Sequence, residues 1–125
     1  MTIVLDAGAL VAVDRRDRRV GALLRVAQRE RIPVRTSAAV VAQVWRAGAR
    51  QAPLARTLAG VATVALDLVT AKRLGVLLGV ADASDVVDAH VAALVAAGDT
   101  VLTSDPDDVR RLLAARRVAA TISRV

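Results

Sequence analysis

The sequence predicts an α/β fold, a three-layer α/β/α sandwich around a mostly parallel sheet. Short apolar runs that favour strands alternate with stretches of helical periodicity along the whole chain. The chain contains 27 alanines, 22 valines and 15 leucines but one aromatic residue, Trp45, so the core has to be aliphatic. A length of 125 residues suits one domain, which we expect to span residues 1–125.

The first half of the chain contains two predicted strands and four predicted helices. The strands cover residues 2–5 and 33–35. The first two helices cover residues 7–13 and 20–31, where apolar residues recur at helical spacing. Thr36 or Ser37 caps a third helix that runs to about Ala49, and a fourth helix covers residues 52–59, with Pro53 in its first turn.

The second half repeats this alternation. Strands are predicted over residues 61–66, 100–103 and 118–122. Asp67 caps a helix over residues 68–78, and Ser84 caps another that ends near Gly98. The segment Asp105-Pro106-Asp107-Asp108 begins the last helix, which runs to about Arg116, because a cap, a proline and acidic residues all favour a helix start.

The residue types that are absent exclude several classes of function. Without cysteine, the chain has no disulfides, zinc ribbons, thiol catalysis or iron–sulfur clusters. Its one histidine, His90, excludes a histidine-rich metal site within one chain. Without Phe or Tyr, it has no aromatic platform for RNA bases. Because MTIVLDAG lacks a basic segment before its apolar run and charges interrupt the longer apolar runs, we expect a cytoplasmic protein that does not enter membranes.

The charge balance favours a polyanionic partner, either a nucleic acid or an acidic protein. The net charge is +6, with 17 arginines and one lysine. Coding bias is an alternative explanation for the excess of arginine and alanine. The acidic residues are eleven aspartates and one glutamate, and several aspartates lie where strands should end, which coding bias does not explain.

Three aspartates form a candidate metal site. Asp6 ends the first strand, Asp105 follows the strand TVLT, and Asp88 lies in the first turns of a helix. Functional groups collect at the carboxyl ends of parallel strands, so these carboxylates are expected to converge. A hard cation such as Mg²⁺ or Mn²⁺ would offset their repulsion. The alternative is that each aspartate only caps a helix.

Four short motifs occur in the order found in a known family: IVLDAGAL, VVAQVWRAG, SDVVDAHVAAL and VLTSDPDDV. With them, the whole chain resembles the PIN-domain ribonucleases, most closely the toxin components of VapBC-type toxin–antitoxin pairs. The resemblance implies a Mg²⁺-dependent endoribonuclease that forms homodimers and is blocked by a cognate antitoxin. It also implies that acids hold one or two metal ions, which activate water for attack on the RNA phosphodiester.

The resemblance assigns roles to individual residues. Asp6, Asp88 and Asp105 match the family's catalytic, metal-binding acids, and Asp108 is an auxiliary acid. The position of the family's second acid, usually Glu, holds Gln43, which we expect to be partly walled by Ala39, Val40 and Ala47. A neutral amide lacks that negative charge. A catalytically weak or inactive PIN domain that binds RNA or a protein is therefore the alternative function.

The remaining candidates each have two interpretations. Asp85 is an outer acid of the metal site or a first-turn acid of its helix. Thr103 and Ser104 hold a metal-bound water or a phosphate, or they cap the next helix. Arg46 contacts an RNA phosphate or is a solvated surface residue. His90 is expected to be structural or at an interface, and Trp45 to lie in the core or at a dimer interface.

Overall fold

Five strands form a single sheet in which every pairing is parallel. The computed structural model describes all residues, Met1–Val125. The sheet order is β3-β2-β1-β4-β5. The strands are β1 Ile3–Leu5, β2 Val34–Ser37, β3 Ala62–Val64, β4 Thr100–Thr103 and β5 Thr121–Arg124. The predicted parallel α/β architecture is confirmed, and β1 and β4 are neighbours at its centre, with Leu5 in register with Leu102.

Seven α-helices complete the three-layer α/β/α architecture. They are α1 Ala7–Asp14, α2 Arg18–Arg29, α3 Ala38–Val44, α4 Ala52–Ala59, α5 Leu68–Ala81, α6 Val86–Leu94 and α7 Pro106–Arg116. Helix α1 packs with α2, α3 and α4, whereas α5, α6 and α7 pack on one another. None of these helices combines the length and apolar character needed to cross a bilayer.

The core is aliphatic, as the composition predicted. Val4 and Leu5 of β1 and Val101 of β4 are fully buried at the centre of the sheet. Leucines from the surrounding helices close over them, among them Leu10 of α1 and Leu112 of α7. The two buried central strands, β1 and β4, are the ones that the acidic residues Asp6 and Asp105 follow.

Helix α3 ends at Val44, so the prediction that it continues to about Ala49 is wrong. The cause is the buried side chain of Gln51. Its Oε1 accepts hydrogen bonds from the backbone N–H groups of Arg46 (2.8 Å) and Ala47 (3.1 Å), and its Nε2 donates to the carbonyl of Val44 at 3.0 Å. These bonds replace those of another helical turn.

Among the other boundaries that differ from the predictions are those of α6 and β5. Helix α6 begins after Asp85, not Ser84, and ends at Leu94 because the Asp99 carboxylate accepts from the backbone N–H of Ala96 at 2.8 Å and turns the chain into β4. The last strand begins at Thr121 instead of Val118. Arg117 is left-handed, with φ 56°, and the N–H of Val118 still bonds to α7 at the Leu113 carbonyl (3.0 Å).

Candidate metal centre

The carboxyl ends of β1 and β4 place acidic residues side by side. Because these strands pair in parallel, the residues that follow them leave the sheet at the same edge. The backbone N–H of Asp6 donates to the carbonyl of Leu102 at 3.0 Å, which extends the pairing up to the first acid. Asp105 follows only three residues after Leu102, so both acids lie at this edge.

Thr103 connects Asp6 with Asp105. Its buried hydroxyl donates to Oδ2 of Asp6 at 2.7 Å and accepts from the backbone N–H of Asp105 at 2.9 Å. The other carboxylate oxygen of Asp6 accepts from the N–H of Ala7 at 2.7 Å, at the start of α1. Asp6 is buried, and each of its carboxylate oxygens accepts a hydrogen bond. It therefore caps α1 and is also one of the acids at this edge of the sheet.

Three further carboxylates lie close together beside Asp6. Oxygens of Asp88, Asp105 and Asp108 all lie within 4.8 Å of one another. Asp88 comes from the first turn of α6, and the other two come from the start of α7, which packs against α6. Asp105 stands at the N-cap position of α7, but its side chain makes no capping bond, so the cap interpretation is wrong for this residue.

Two carboxyl groups of the cluster have raised pKa values. Burial, followed by the negative charges of Asp85, Asp6, Asp108 and Asp105, raises the pKa of Asp88 to about 7. A hydrogen bond to Asp105, together with its charge, raises the pKa of Asp108. The one ion pair of the chain joins Asp107 and Arg110, outside the cluster. The charge of Arg111 offsets part of this effect at Asp108, but no ion pair forms within the cluster. A set of oxygen donors of this kind suits a hard divalent cation such as Mg²⁺.

Gly8 allows the two halves of the site to approach each other. A Cβ at this position would lie 2.5 Å from Oγ of Ser104 and 2.9 Å from its backbone nitrogen. Any side chain at residue 8 would therefore push the loop that carries Asp105 away from α1. Sequence analysis could not single out Gly8, because its importance depends on a neighbour that is distant along the chain.

A comparison with solved structures identifies the architecture. One chain of VapBC2 from Rickettsia felis, in a crystal structure bound to a DNA fragment from their promoter, superposes with a TM-score of 0.68. The match covers 98% of this chain and 99% of that chain, at 13% sequence identity. The fold is PIN-like. No family model matches the sequence, and no curated protein matches it as a relative.

In this PIN-like fold Asp85 caps α6. Its Oδ1 accepts from the backbone N–H of Asp88 at 2.9 Å, so the residue both orients the first turn and repels the Asp88 carboxylate. Ser104 is exposed and lies against Gly8. Neither residue belongs to the three-carboxylate cluster, whereas Asp108, assigned only an auxiliary role from the sequence, does.

The motif VVAQVWRAG forms no hydrogen bond to the cluster of Asp88, Asp105 and Asp108. Gln43 is exposed and its side chain forms none, so the expectation that apolar neighbours wall it in is wrong. Arg46 is exposed too, and its Nη1 donates to the carbonyls of Ala42 (3.1 Å) and Trp45 (2.7 Å) at the end of α3. Trp45 is 38% exposed, beside Gly48, and is not part of the core.

His90 is buried, as the structural interpretation predicted. Its Nδ1 lies 2.6 Å from Oγ of Ser37, which also accepts from the N–H of Ala39 at 3.0 Å. The histidine therefore ties α6 to the end of β2. Burial lowers the pKa of His90, which keeps the imidazole neutral near pH 7. Ser37, which sequence reasoning considered only as a helix cap, is its partner.

Proposed function

We propose that this protein is a Mg²⁺-dependent endoribonuclease and the toxin of a toxin–antitoxin pair. The observation that carries the proposal is the group of three carboxylates within 4.8 Å of one another, next to the buried Asp6. They lie at the carboxyl edge of a parallel sheet, where α/β proteins bind ligands. The PIN-like architecture supports the same activity.

Each residue has a role in this proposal. Asp88, Asp105 and Asp108 would hold the metal, and Asp6 would complete the site beside them. The bound metal would lower the pKa of a water molecule and stabilise charge on the scissile phosphate. Thr103 fixes the orientation of Asp6 through its hydroxyl and that of Asp105 through its backbone, so these two acids keep their positions before metal arrives.

The arginines support an RNA substrate. Of the 17 arginines, only Arg110 forms an ion pair within the chain. Arg15, Arg16, Arg18 and Arg19 are exposed together at the end of α1 and the start of α2, where they can contact phosphate groups. A surface of this kind attracts a polyanion without reading its sequence.

The test is cleavage of a single-stranded RNA by the purified protein. We expect cleavage with Mg²⁺ or Mn²⁺ and none with a chelator, and no cleavage of a DNA strand of the same sequence. RNA binding without metal-dependent cleavage would reject the nuclease proposal. It would favour the alternative of an RNA-binding module. That alternative arose because Gln43 occupies the position where PIN-domain ribonucleases usually have an acid.

A basic groove between α2 and α4 supports a protein partner of acidic character. The groove encloses about 720 Å³ and has apolar walls that include Leu24 and Ile32. Arg16, Arg18, Arg25 and Arg56 line it, against one acid, Asp17. We infer that the antitoxin places an apolar segment with acidic residues here, since such a segment complements both the walls and the charge.

Metal affinity should depend on pH through Asp88. Because its pKa of about 7 lies above the ordinary value of 3.8, the metal-free folded protein retains a proton that the unfolded chain loses, so this group makes folding less favourable as pH rises from 3.8 to about 7. Mg²⁺ must displace that proton. Calorimetric titration should therefore give tighter binding at about pH 8 than at about pH 6, with proton release at the lower pH.

The Asp88→Asn variant is the control for this titration. It should lose the part of the pH dependence that lies near neutrality. If its remaining affinity changed with pH as much as that of the parent protein, another group would be responsible.

A further inference from the structure

The α5 groove, a cleft between α5, α6 and α7, is separate from the acidic cluster, which shares no residue with its lining. It encloses about 490 Å³, within the range of small-molecule sites in proteins. Most of its walls are aliphatic, among them Val64 at the end of β3, Leu74 and Leu77 of α5 and Leu94 of α6. A groove of this size and lining suits the hydrocarbon part of a small ligand.

His90 lines the α5 groove and has one ring nitrogen without a partner. The residue is 1% exposed. Its Nδ1 is bound to Ser37, which lies outside the lining, so the other side of the ring is the one turned toward the groove. Nε2 and Oδ1 of Asp14 are the only buried side-chain nitrogen or oxygen atoms without a hydrogen-bond partner. Because such an atom is costly, we expect Nε2 to find a partner from outside the chain.

The bond to Ser37 makes Nε2 of His90 a donor. Oγ of Ser37 accepts from the N–H of Ala39, and the one acceptor that its own hydrogen contacts is Nδ1 of His90. The hydroxyl therefore donates to Nδ1, which places the ring proton of the neutral imidazole on Nε2. A ligand atom that pairs with Nε2 has to be an acceptor, such as a carboxylate oxygen.

The charged residues that line the α5 groove favour an anion. Arg73 of α5 and Arg116 of α7 line it, and no acidic residue does. Nη1 of Arg116 donates to the carbonyls of Ala92 and Val95, both at 2.6 Å, which fixes the guanidinium beside the groove. The charge of Asp67 acts on Arg73, but the two residues form no ion pair and Asp67 does not line the groove.

We propose that the α5 groove binds a small aliphatic carboxylate, whose oxygen accepts a hydrogen bond from Nε2 of His90. The hydrocarbon chain lies along the aliphatic walls, where its burial stabilises the complex. Arg73 and Arg116 attract the negative charge. A phosphate group would gain nothing from the aliphatic walls, and a pure hydrocarbon would leave Nε2 without a partner.

NMR of the ¹⁵N-labelled protein tests this proposal with octanoate as the probe. The chain has one histidine and one tryptophan, so both side-chain N–H signals are assigned without ambiguity. Octanoate should bind with a Kd of about 0.1–1 mM and shift the Nε2–H signal of His90. The indole signal of Trp45, which lies outside the groove, should not move.

Two further probes separate the parts of the ligand. Acetate has the same head group without the chain, and it should give no shift at the octanoate concentrations used. Octanol has the same chain without the charge, and it should bind about threefold more weakly than octanoate. Arg73→Gln should remove that difference by weakening octanoate binding alone.

Val80→Asp should abolish octanoate binding because it places a negative charge in the groove beside the carboxylate. Val80 is 68% exposed, so the variant should remain folded by circular dichroism. The matched control is Val26→Asp on α2, which is 39% exposed, lies outside the groove and should bind octanoate like the parent protein.

Three results would overturn the proposal: a His90 signal that octanoate does not shift, equal binding of octanoate and octanol, or parental binding by Val80→Asp. A His90 signal that moves with protein concentration alone would also overturn it, because a second copy would then occupy the groove. None of these readouts depends on metal or on RNA cleavage, so they are independent of the proposed function.

Discussion

Asp88→Asn should reduce Mg²⁺-dependent RNA cleavage by at least about a hundredfold. In the proposed site Asp88 would be the ligand from α6, because one of its oxygens lies within 4.8 Å of an oxygen of Asp105 and an oxygen of Asp108. Asparagine keeps the shape of the side chain but removes the charge that a hard cation requires. Asp6→Asn should have a similar effect. The measurement is the initial rate of cleavage of a labelled RNA at saturating Mg²⁺.

Urea unfolding of the Asp88→Asn variant distinguishes loss of the metal site from loss of the fold. Asp88→Asn relieves repulsion from four neighbouring carboxylates, so the metal-free variant should unfold at the same urea concentration as the parent protein or at a higher one. Asp107→Asn is the matched control, because that exposed aspartate pairs with Arg110 outside the cluster. Parental activity in Asp88→Asn, or an equal loss in Asp107→Asn, would contradict the assignment.

Thr103→Val should destabilise the protein by about 1.5–3 kcal/mol and reduce cleavage by about tenfold to a hundredfold. The substitution preserves volume but removes the hydroxyl that donates to Oδ2 of Asp6 and accepts from the N–H of Asp105. A buried carboxylate oxygen and a backbone N–H then lose their partner. Urea unfolding measures the first effect, and a Mg²⁺ titration of cleavage measures the second.

Thr103→Ser is the control for the hydroxyl. Serine keeps both hydrogen bonds and loses only a methyl group at this buried position, so its cost should be about 1 kcal/mol and its cleavage rate near that of the parent. If serine and valine were equally impaired, the threonine would act through packing and not through the link between the two acids.

The elements with strong local signals could be predicted from the sequence. Strand β4 covers residues 100–103 and α7 covers 106–116, as predicted, because a short β-branched run and an Asp-Pro start leave few alternatives. Helix α3 could not be delimited in this way. Its end depends on the side chain of Gln51, which bonds to backbone groups several residues earlier only when the loop is folded.

The part of the candidate site that could be predicted is the part that depends on the parallel sheet. The sequence predicted that Asp6 and Asp105 lie at the same edge, because both follow strands of a parallel sheet. They meet because β1 and β4 are adjacent, which the sequence did not predict. The sequence does not show that Asp105 leaves its capping position unused while Asp6 and Asp85 serve as caps. That choice depends on where the folded chain holds each carboxylate relative to the helix start beside it.

The contact between Gly8 and Ser104 makes two distant positions share one small volume. What the fold restrains is therefore residue 8 itself, because a Cβ there would meet the backbone nitrogen of Ser104 as well as its side chain. A library that varies residue 8 alone should return glycine, and one that also varies residue 104 should still return glycine at residue 8. In a lineage of such sequences, residue 104 should change while residue 8 stays glycine.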